Sequence, residues 1–289
     1  MISSCQGISN TNHAFREKLE KPILKSKDPD AESHLRRLVQ PFILRRLKKD
    51  VLKELPPKEE HVRKISLYEE EQKLYYACVQ AAVAGLGDGQ GKLQILAALT
   101  RLRQVCCDPG LCFENYNGSA SKLDACVELC EAMVENGHQI LLFSQFTSML
   151  DRLRARLDVL HISSFTLQGS TPKEKRASMV KAFNAGEASV FLISLKAGGT
   201  GLNLTAADIV IHFDPWWSQA AQDQATDRAH RIGQQAHVQV YKLIAKDTIE
   251  EKILELQEKK AALLDTISGC EETRILNMSS EELLSLLKS

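Results

Sequence analysis

The chain has 289 residues, of which 44% are hydrophobic and 26% are charged. This is the composition of an ordinary globular protein, so a disordered, collagen-like or coiled-coil chain is excluded. The 37 basic residues balance 37 acidic ones, which gives a formal net charge of zero. A protein covered throughout in positive charge is therefore excluded. A local basic track for nucleic acid is not, because affinity depends on where the cations lie.

The sequence carries no signal for secretion or membrane insertion. Its first residues, MISSCQG, have neither the basic region nor the apolar core of a signal peptide. The longest apolar runs are strand-sized, far short of the roughly 20 residues of a membrane span. We therefore expect no membrane partner and reduced thiols at the eight cysteines. Cys126 and Cys130 lie one helical turn apart on an apolar stripe, so we interpret them as buried structural thiols and expect no metal site.

The first 120 residues are predicted to be mainly helical. Residues 34–46 carry apolar side chains at helical spacing, with a kink or new start at Pro41. After the proline pair at 56–57, residues 60–67 alternate as a strand does. Two further helices are predicted at 69–84 and 92–106. Residues 108–119 are rich in Gly, Asn and Pro, and predict a loop and an internal boundary.

From residue 121 the sequence alternates between helices and short apolar strands. The predicted strands are 139–143, 163–167, 189–194, 208–213 and 237–243. The predicted helices are 121–135, 146–157, 171–183, 218–230, 248–267 and a short terminal one at 279–287. Short buried strands separated by amphipathic helices form β-α-β units, which build a parallel sheet covered on both faces. We therefore predict a three-layer α/β domain over residues 121–246.

The loops after these strands carry the candidate chemistry, because ligands of parallel sheets bind beyond the carboxyl ends of the strands. Residues 195–204 contain three glycines that let backbone amides approach a phosphate, although many such loops are only turns. Residues 168–171 (QGST) place amides and hydroxyls at a helix start, a natural seat for an anion. Trp216 and Trp217 cannot easily face one core. Either tryptophan could be a buried anchor or a surface on which bases stack.

Arg228 and Arg231 lie three residues apart on one predicted helix, so we expect both to project from the same face. One interpretation is a solvated basic face paired with Asp223 and Asp227, which contributes little stability. The other is phosphoryl transfer, because guanidinium groups near a phosphate loop neutralise charge on the γ-phosphoryl oxygens in the transition state. The residues alone leave both interpretations open.

Five segments of the chain form an ordered series of motifs. They are 143–147 (FSQFT), 168–171 (QGST), 196–208 (KAGGTGLNLTAAD), 213–217 (FDPWW) and 224–234 (QATDRAHRIGQ). Upstream lies 40–52 (QPFILRRLKKDVL), and downstream lies 248–253 (TIEEKI). In order and spacing the series resembles the second, C-terminal RecA-like ATPase lobe of Swi/Snf-family double-stranded-DNA translocases, which are superfamily-two helicase-like proteins. The resemblance implies a RecA-like sheet with a helical protrusion before it and a bracing helix after it.

The resemblance also implies a role for each matching residue. Arg228 and Arg231 would be arginine fingers that reach ATP. Gly201 and Gln224 would line the nucleotide cleft between two lobes. The residues that would bind DNA are Ser144, Gln145, Thr171, Lys196, Gly198 and Trp217. Trp216 would be a core residue.

The chain departs from a complete motor of this family in its phosphate-binding motifs. It contains no Gly-x-x-x-x-Gly-Lys-Ser/Thr and no Asp-Glu-x-His, the motifs that bind ATP phosphates and Mg²⁺. We therefore expect ATP and Mg²⁺ to be held mainly by a separate lobe one, in cis or in trans. The chain alone is expected to be inactive as an ATPase.

The resulting domain prediction has four parts. They are the tail of lobe one and the segment entering lobe two (1–57), the helical protrusion (58–120), the RecA-like lobe (121–246), and the bracing and terminal helices (247–289). The predicted function is the C-terminal lobe of an ATP-dependent translocase of double-stranded DNA. A non-enzymatic DNA-binding or adaptor module and a truncated gene product are the alternatives. The lack of charged tails favours a bacterial cytoplasm (nucleoid) over a eukaryotic nucleus.

Overall fold

A computed structural model describes residues 58–85, 92–198, 202–231, 234, 236–264, 283 and 286. The chain divides into two units, 1–54 and 55–289, and all described residues lie in the second. The predicted helix at 34–46 and nearly all of the predicted terminal helix at 279–287 lie outside the described residues.

Six strands form one sheet, and helices pack around it. The strands are β1 (Lys58–Ile65), β2 (Ile140–Ser144), β3 (Ser164–Leu167), β4 (Val190–Ser194), β5 (Ile209–His212) and β6 (Val238–Ala245). The helices are α1 (Glu69–Gly85), α2 (Lys92–Cys107), α3 (Ser121–Glu135), α4 (Thr147–Val159), α5 (Lys173–Asn184), α6 (Leu195–Gly198), α7 (Gln219–Thr226) and α8 (Ile249–Leu264). A single 3-10 turn at Pro109–Leu111 follows α2 in this part of the chain.

The sheet is parallel throughout, with strand order β1-β6-β5-β2-β4-β3. β2 lies inside it, in register with β4 on one side and β5 on the other. All five residues of β2 are buried. A strand with neighbours on both sides and helices on both faces has no solvent side, which explains why its sequence is a continuous apolar run.

Alternate residues of the strands point to opposite faces of the sheet and build two hydrophobic clusters. On one face, Ile140 and Leu142 pack with side chains of α3 and α4. On the other, Leu141 and Phe143 pack with side chains of α5 and α7. Burial of each such side chain contributes about 1.5–3 kcal/mol. The predicted three-layer α/β architecture is confirmed.

A third hydrophobic cluster lies among α1, α2 and α8, and includes Leu283 and Leu286. Tyr75 of α1 accepts a hydrogen bond on its hydroxyl from the Ile249 amide, at 2.7 Å. The first turn of α8 is therefore tied to α1 by a buried polar contact as well as by apolar packing.

A buried ion pair joins α8 to α3. Lys122 Nζ lies 2.6 and 2.5 Å from the two carboxylate oxygens of Glu250, and both side chains are fully buried. The Ala245 amide also donates to Glu250, at 2.8 Å. Burial opposes the charged form of Lys122, but the Glu250 carboxylate raises the pKa of this lysine above its ordinary value. The ion pair fixes the start of α8, since removal of either partner would leave a buried unpaired charge.

Helix α7 is shorter than the pattern predicts, because it ends at Thr226 and not at residue 230. The backbone carbonyls beyond it accept hydrogen bonds from other segments. The Leu204 amide donates to the carbonyl of Arg228 at 3.2 Å, and Gln234 Nε2 donates to the carbonyl of Ala229 at 3.3 Å. The amides of Arg228 and Ala229 bond carbonyls three residues earlier, so the chain continues in tight turns where the α-helix ends.

The edge strand β1 lies outside the predicted lobe at 121–246. It pairs with β6 along eight residues, so the sheet takes a strand from the segment predicted as the helical protrusion. The burial predicted for Cys126 and Cys130 is confirmed. None of the described helices combines the length and hydrophobicity needed to cross a bilayer.

Candidate functional site

Three loops that carry predicted site residues lie together at the carboxyl ends of the strands. Because β2 pairs in parallel with both β4 and β5, the segments that follow these strands lie side by side. They contain Gln145, Lys196 and Trp217. The structure therefore brings together motifs that are separated in the sequence.

Arg228 and Arg231 lie in different environments, so the expectation that both project from one helix face is wrong. Both follow the end of α7 at Thr226, in a segment of turns and not in a regular helix. Arg228 is 4% exposed, and its Nε atom has no hydrogen-bond partner among the described residues. Arg231 is exposed, and its Nη1 donates to the carbonyl of Leu202 at 3.5 Å. Burial lowers the pKa of Arg228, and the positive charge of Arg231 acts in the same direction.

The C-terminal end of the glycine-rich loop lies beside these arginines. Leu204 bonds the backbone of Arg228, and Leu202 bonds the side chain of Arg231. A phosphate site built from loop amides and guanidinium groups requires this proximity.

Other predicted nucleotide and DNA residues flank the same region. Lys196 and Gly198 lie in α6, the short helix directly after β4. Gln224 is exposed on α7, one turn before Arg228. Gly201 lies outside the described residues.

Asp214 ties the loop after β2 to the loop after β5. The Ser144 hydroxyl donates to Asp214 Oδ1 at 2.6 Å and accepts from the Phe146 amide at 3.2 Å. The Gln145 amide donates to the same oxygen of Asp214 at 3.2 Å. Ser144 is fully buried. Its hydroxyl shapes the loop and does not face solvent, so the expected direct contact of Ser144 with DNA does not fit this arrangement.

Trp216 and Trp217 are both half-buried and pack against different clusters. Trp216 contacts the cluster on the α5 and α7 face of the sheet. Trp217 contacts the cluster among α1, α2 and α8, and its ring lies 5.2 Å from the guanidinium carbon of Arg103. The prediction that one core does not hold both tryptophans is confirmed. The Trp217 ring is thus partly buried, and the guanidinium group of Arg103 lies within the distance of a cation–π contact.

Thr171 lines a cleft of about 610 Å³ whose wall also includes Lys173, Arg176 and Leu202. The Thr171 hydroxyl accepts from the Gln168 amide at 3.0 Å, and Arg176 Nε donates to the Thr171 carbonyl at 2.8 Å. The cleft therefore joins the QGST loop to the end of the glycine-rich loop and adds two cations to it.

Sequence reasoning missed two polar residues at this site, Arg103 of α2 and Gln257 of α8. Gln257 is buried and donates to the carbonyl of Trp216 and to Gln222 Oε1, the latter at 2.6 Å. A sequence signal existed for both, since each lies four residues after a buried apolar residue of its helix, Leu99 or Ile253. A polar side chain at such a position needs a buried partner.

The described residues contain no group of three or more His, Cys, Asp or Glu side chains that could hold a metal ion.

Two family models match the chain. Residues 121–233 match the helicase conserved C-terminal domain, and residues 5–111 match the SNF2-related domain. The chain is 39% identical over 267 residues to an uncharacterized ATP-dependent helicase of Mycoplasma genitalium. That match covers 91% of this chain and 26% of the relative.

Two solved structures are similar over 98% of this chain. The Sulfolobus solfataricus SWI2/SNF2 ATPase core domain matches with a TM-score of 0.67 and 34% identity over 59% of its length. The same core in complex with double-stranded DNA matches with a TM-score of 0.65 and 32% identity over 61% of its length.

The chain thus spans about a quarter of the curated relative and about three fifths of the solved cores. Its six-stranded parallel sheet has the RecA-like α/β fold of those cores. The chain thus contains a helicase conserved C-terminal domain and a SNF2-related domain, and it is a homologue of proteins named ATP-dependent helicases and SWI2/SNF2 ATPases.

Proposed function

We propose that this chain is the C-terminal lobe of an ATP-dependent translocase of double-stranded DNA, and that it acts on ATP held mainly by a lobe one. Homology to proteins named ATP-dependent helicases supports the use of ATP. Similarity to a core solved with double-stranded DNA supports the nucleic acid. The observation that carries the proposal is the position of Arg228 and Arg231 beside the end of the glycine-rich loop.

The two arginines have the properties that phosphoryl transfer requires of this lobe. When bound, ATP supplies the γ-phosphoryl group whose transfer to water drives the cycle. Arg228 offers a buried Nε donor without a partner among the described residues, and Arg231 is exposed nearby. These groups would neutralise charge on the phosphoryl oxygens, while Gln224 and Gly201 would line the nucleotide cleft. Mg²⁺ would be held by lobe one.

The DNA part of the proposal concerns backbone contacts. We propose that five residues contact the phosphates and sugars of one strand: Gln145, Thr171, Lys196, Gly198 and Trp217. Ser144, with its hydroxyl bonded inside the protein, would position the loop that carries Gln145. Backbone contacts carry no sequence information, so this grip would suit movement along any duplex.

Complementation in trans tests the proposal. The chain is mixed with a lobe-one polypeptide of the same family that carries the Gly-x-x-x-x-Gly-Lys-Ser/Thr motif, and ATP hydrolysis is measured with and without duplex DNA. We expect no hydrolysis by the chain alone and DNA-stimulated hydrolysis by the mixture. Arg231→Ala should lower kcat by about 10³-fold or more. Arg154→Ala is the control, because Arg154 is exposed on α4 and pairs with Asp158.

Two results would contradict the proposal. Hydrolysis by the chain alone would show that the missing motifs are not needed. Salt-dependent binding of duplex DNA without hydrolysis in any lobe-one mixture would favour the non-enzymatic adaptor.

A further inference from the structure

Arg103 of α2 joins the loop after β2 to the loop after β5. Its Nη1 donates to Gln145 Oε1 at 2.8 Å, and its Nη2 donates to the carbonyl of Pro215. The same Nη2 lies 3.6 Å from Oδ2 of Asp214. Arg103 is 2% exposed. A single buried cation therefore contacts two loops that are distant in the sequence.

Two aromatic rings enclose the guanidinium group of Arg103. Its carbon lies 5.2 Å from the ring centroid of Trp217 and 5.7 Å from that of Phe146. A cation within about 6 Å of an aromatic centroid is attracted to the ring. Phe146 follows β2 and Trp217 follows β5. The two ring contacts of Arg103 therefore connect the same two loops as its hydrogen bonds do.

Arg103 also fixes the orientation of the Gln145 side-chain amide. Gln145 Oε1 accepts from the guanidinium, and Nε2 is buried and has no hydrogen-bond partner among the described residues. A guanidinium group has donors but no acceptor, so a flipped amide would set donors against donors. The observed orientation leaves Nε2 as a buried donor without a partner, and a phosphate oxygen has the acceptor polarity that this donor lacks. Unlike the Ser144 hydroxyl, whose hydrogen bonds are made inside the protein, this donor is unsatisfied.

We propose that Arg103 is a positioning residue for the DNA grip. It holds Gln145 and Trp217 in one arrangement, so that the loops after β2 and β5 act as a unit. The inference rests on the proposed function, because these two residues are among its DNA contacts. An arginine with only a structural role would stabilise the fold and would change DNA affinity equally in every background.

Tryptophan fluorescence tests the loop contact without DNA. The chain contains two tryptophans, both in this loop, so in a Trp216→Phe background the emission belongs to Trp217. Arg103→Lys should increase acrylamide quenching of Trp217 and shift its emission to the red, because a lysine ammonium lacks the planar fork that reaches both loops. Arg152→Lys is the matched control, since Arg152 also bonds a carboxylate and a carbonyl but lies on α4. Unchanged quenching in Arg103→Lys would overturn the inference.

DNA binding tests the consequence. We expect Arg103→Lys to weaken binding of a labelled duplex of about 25 base pairs by about tenfold. Most of that loss should disappear in a Gln145→Ala background, because the amide that Arg103 orients is then absent. A loss of the same size in both backgrounds would show a purely structural role and overturn the inference.

A second variant keeps the test decisive if replacement of Arg103 unfolds the chain. Gln145→Glu retains an acceptor for Arg103 and removes the amide donor. It should leave Trp217 quenching unchanged and still weaken DNA binding, and wild-type affinity in this variant would contradict the inference. If the wild-type chain binds no duplex DNA, the proposed function fails. The fluorescence of Trp217 then decides alone whether Arg103 fixes the loops.

Discussion

The imidazole of His212 is fully buried at the end of β5 and supports the last turn of α7. Its Nε2 lies 2.9 Å from the Thr226 hydroxyl oxygen. Burial lowers the pKa of His212 to about 3; the nearby Lys242 and Lys58 act in the same direction, whereas Glu60 opposes them. His212 is therefore neutral in the folded protein throughout the physiological range, and the turn it supports leads directly to Arg228.

Acidification should destabilise the protein through this residue. The unfolded chain takes up a proton at His212 as the pH falls below about 6.5, whereas the folded chain does not until about pH 3. The contribution of neutral His212 to the free energy of unfolding is thus fully present above about pH 6.5, and it is smaller by about 2 kcal/mol at pH 5. We expect His212→Gln to remove this part of the pH dependence in urea unfolding measured at pH 7.5 and pH 5.

Two features isolate the effect of His212. His237 is exposed, so His237→Gln should keep the wild-type pH dependence. Partial desolvation raises the pKa of Glu60, but hydrogen bonds and salt bridges to Lys242 and Lys58 outweigh it and hold this pKa at about 2. This carboxylate therefore adds a stability loss below pH 4.5, outside the tested window. Equal slopes for wild type and His212→Gln would show that His212 titrates normally in the folded state.

At the scale of elements, α8 is bonded both to α7 and to the loop after β5. Gln257 of α8 donates to Gln222 of α7 and to the carbonyl of Trp216 in the loop after β5. Gln257→Leu would leave a buried acceptor, Gln222 Oε1, and a partly buried one, the Trp216 carbonyl, without their donor. We expect a loss of about 1–3 kcal/mol in the free energy of unfolding, together with a red shift of tryptophan emission.

The neighbouring Glu258 provides the control for this prediction. It is exposed on the same turn of α8, so Glu258→Ala should change stability by less than about 0.5 kcal/mol. If Gln257→Leu behaved like Glu258→Ala, the two hydrogen bonds would make no net contribution to stability.

The elements differ in how far their sequences predicted them. β2 and β4 were predictable because a strand enclosed on both sides and both faces must be apolar. The end of α7 was not predictable. The carbonyls of Arg228 and Ala229, just after the helix, are bonded by Leu204 and Gln234, and the helical periodicity of α7 contains no information about these two residues. The place of β1 in the sheet was also missed, since an alternating strand does not reveal its partner.

The same limit applied to the candidate site. Gln145 and Arg228 could be proposed as site residues because each lies in a motif that is local in the sequence. The contact partners of Arg103 and Gln257 lie 42 and 41 residues away, at Gln145 and Trp216. A local pattern shows only that a polar side chain occupies an apolar face, and not which loop it bonds.

For the molecule as a whole, the sheet determines which fragments of the chain can fold as monomers. The helicase C-terminal match at 121–233 contains neither β1 nor β6. We expect residues 55–289, which form one unit, to unfold cooperatively as a monomer. A chain of residues 121–289 would lose β1, α1 and α2 and expose the edge of β6, so it should self-associate.

Size-exclusion chromatography with light scattering and urea unfolding measure both shorter chains. The chain 55–289 serves as the matched control for 121–289, because the two share their C-terminal end. A monomeric 121–289 with the same unfolding midpoint would show that the edge strand and its helices are dispensable.

The pairing of β1 with β6 has a consequence for the order of events during synthesis. Glu60 and Lys242 are bonded across these strands and lie 182 residues apart in the chain. At roughly 5–20 residues per second, β1 would leave the ribosome about 10 to 40 s before its partner. During this interval β1 has no partner strand, so it must avoid pairing with strands of other chains. Exposed residues 59–64 of β1 (EEHVRK) carry both acidic and basic charges, which discourage such pairing. The charged residues of β1 thus suit a strand that is synthesised early and pairs only after β6 has been synthesised.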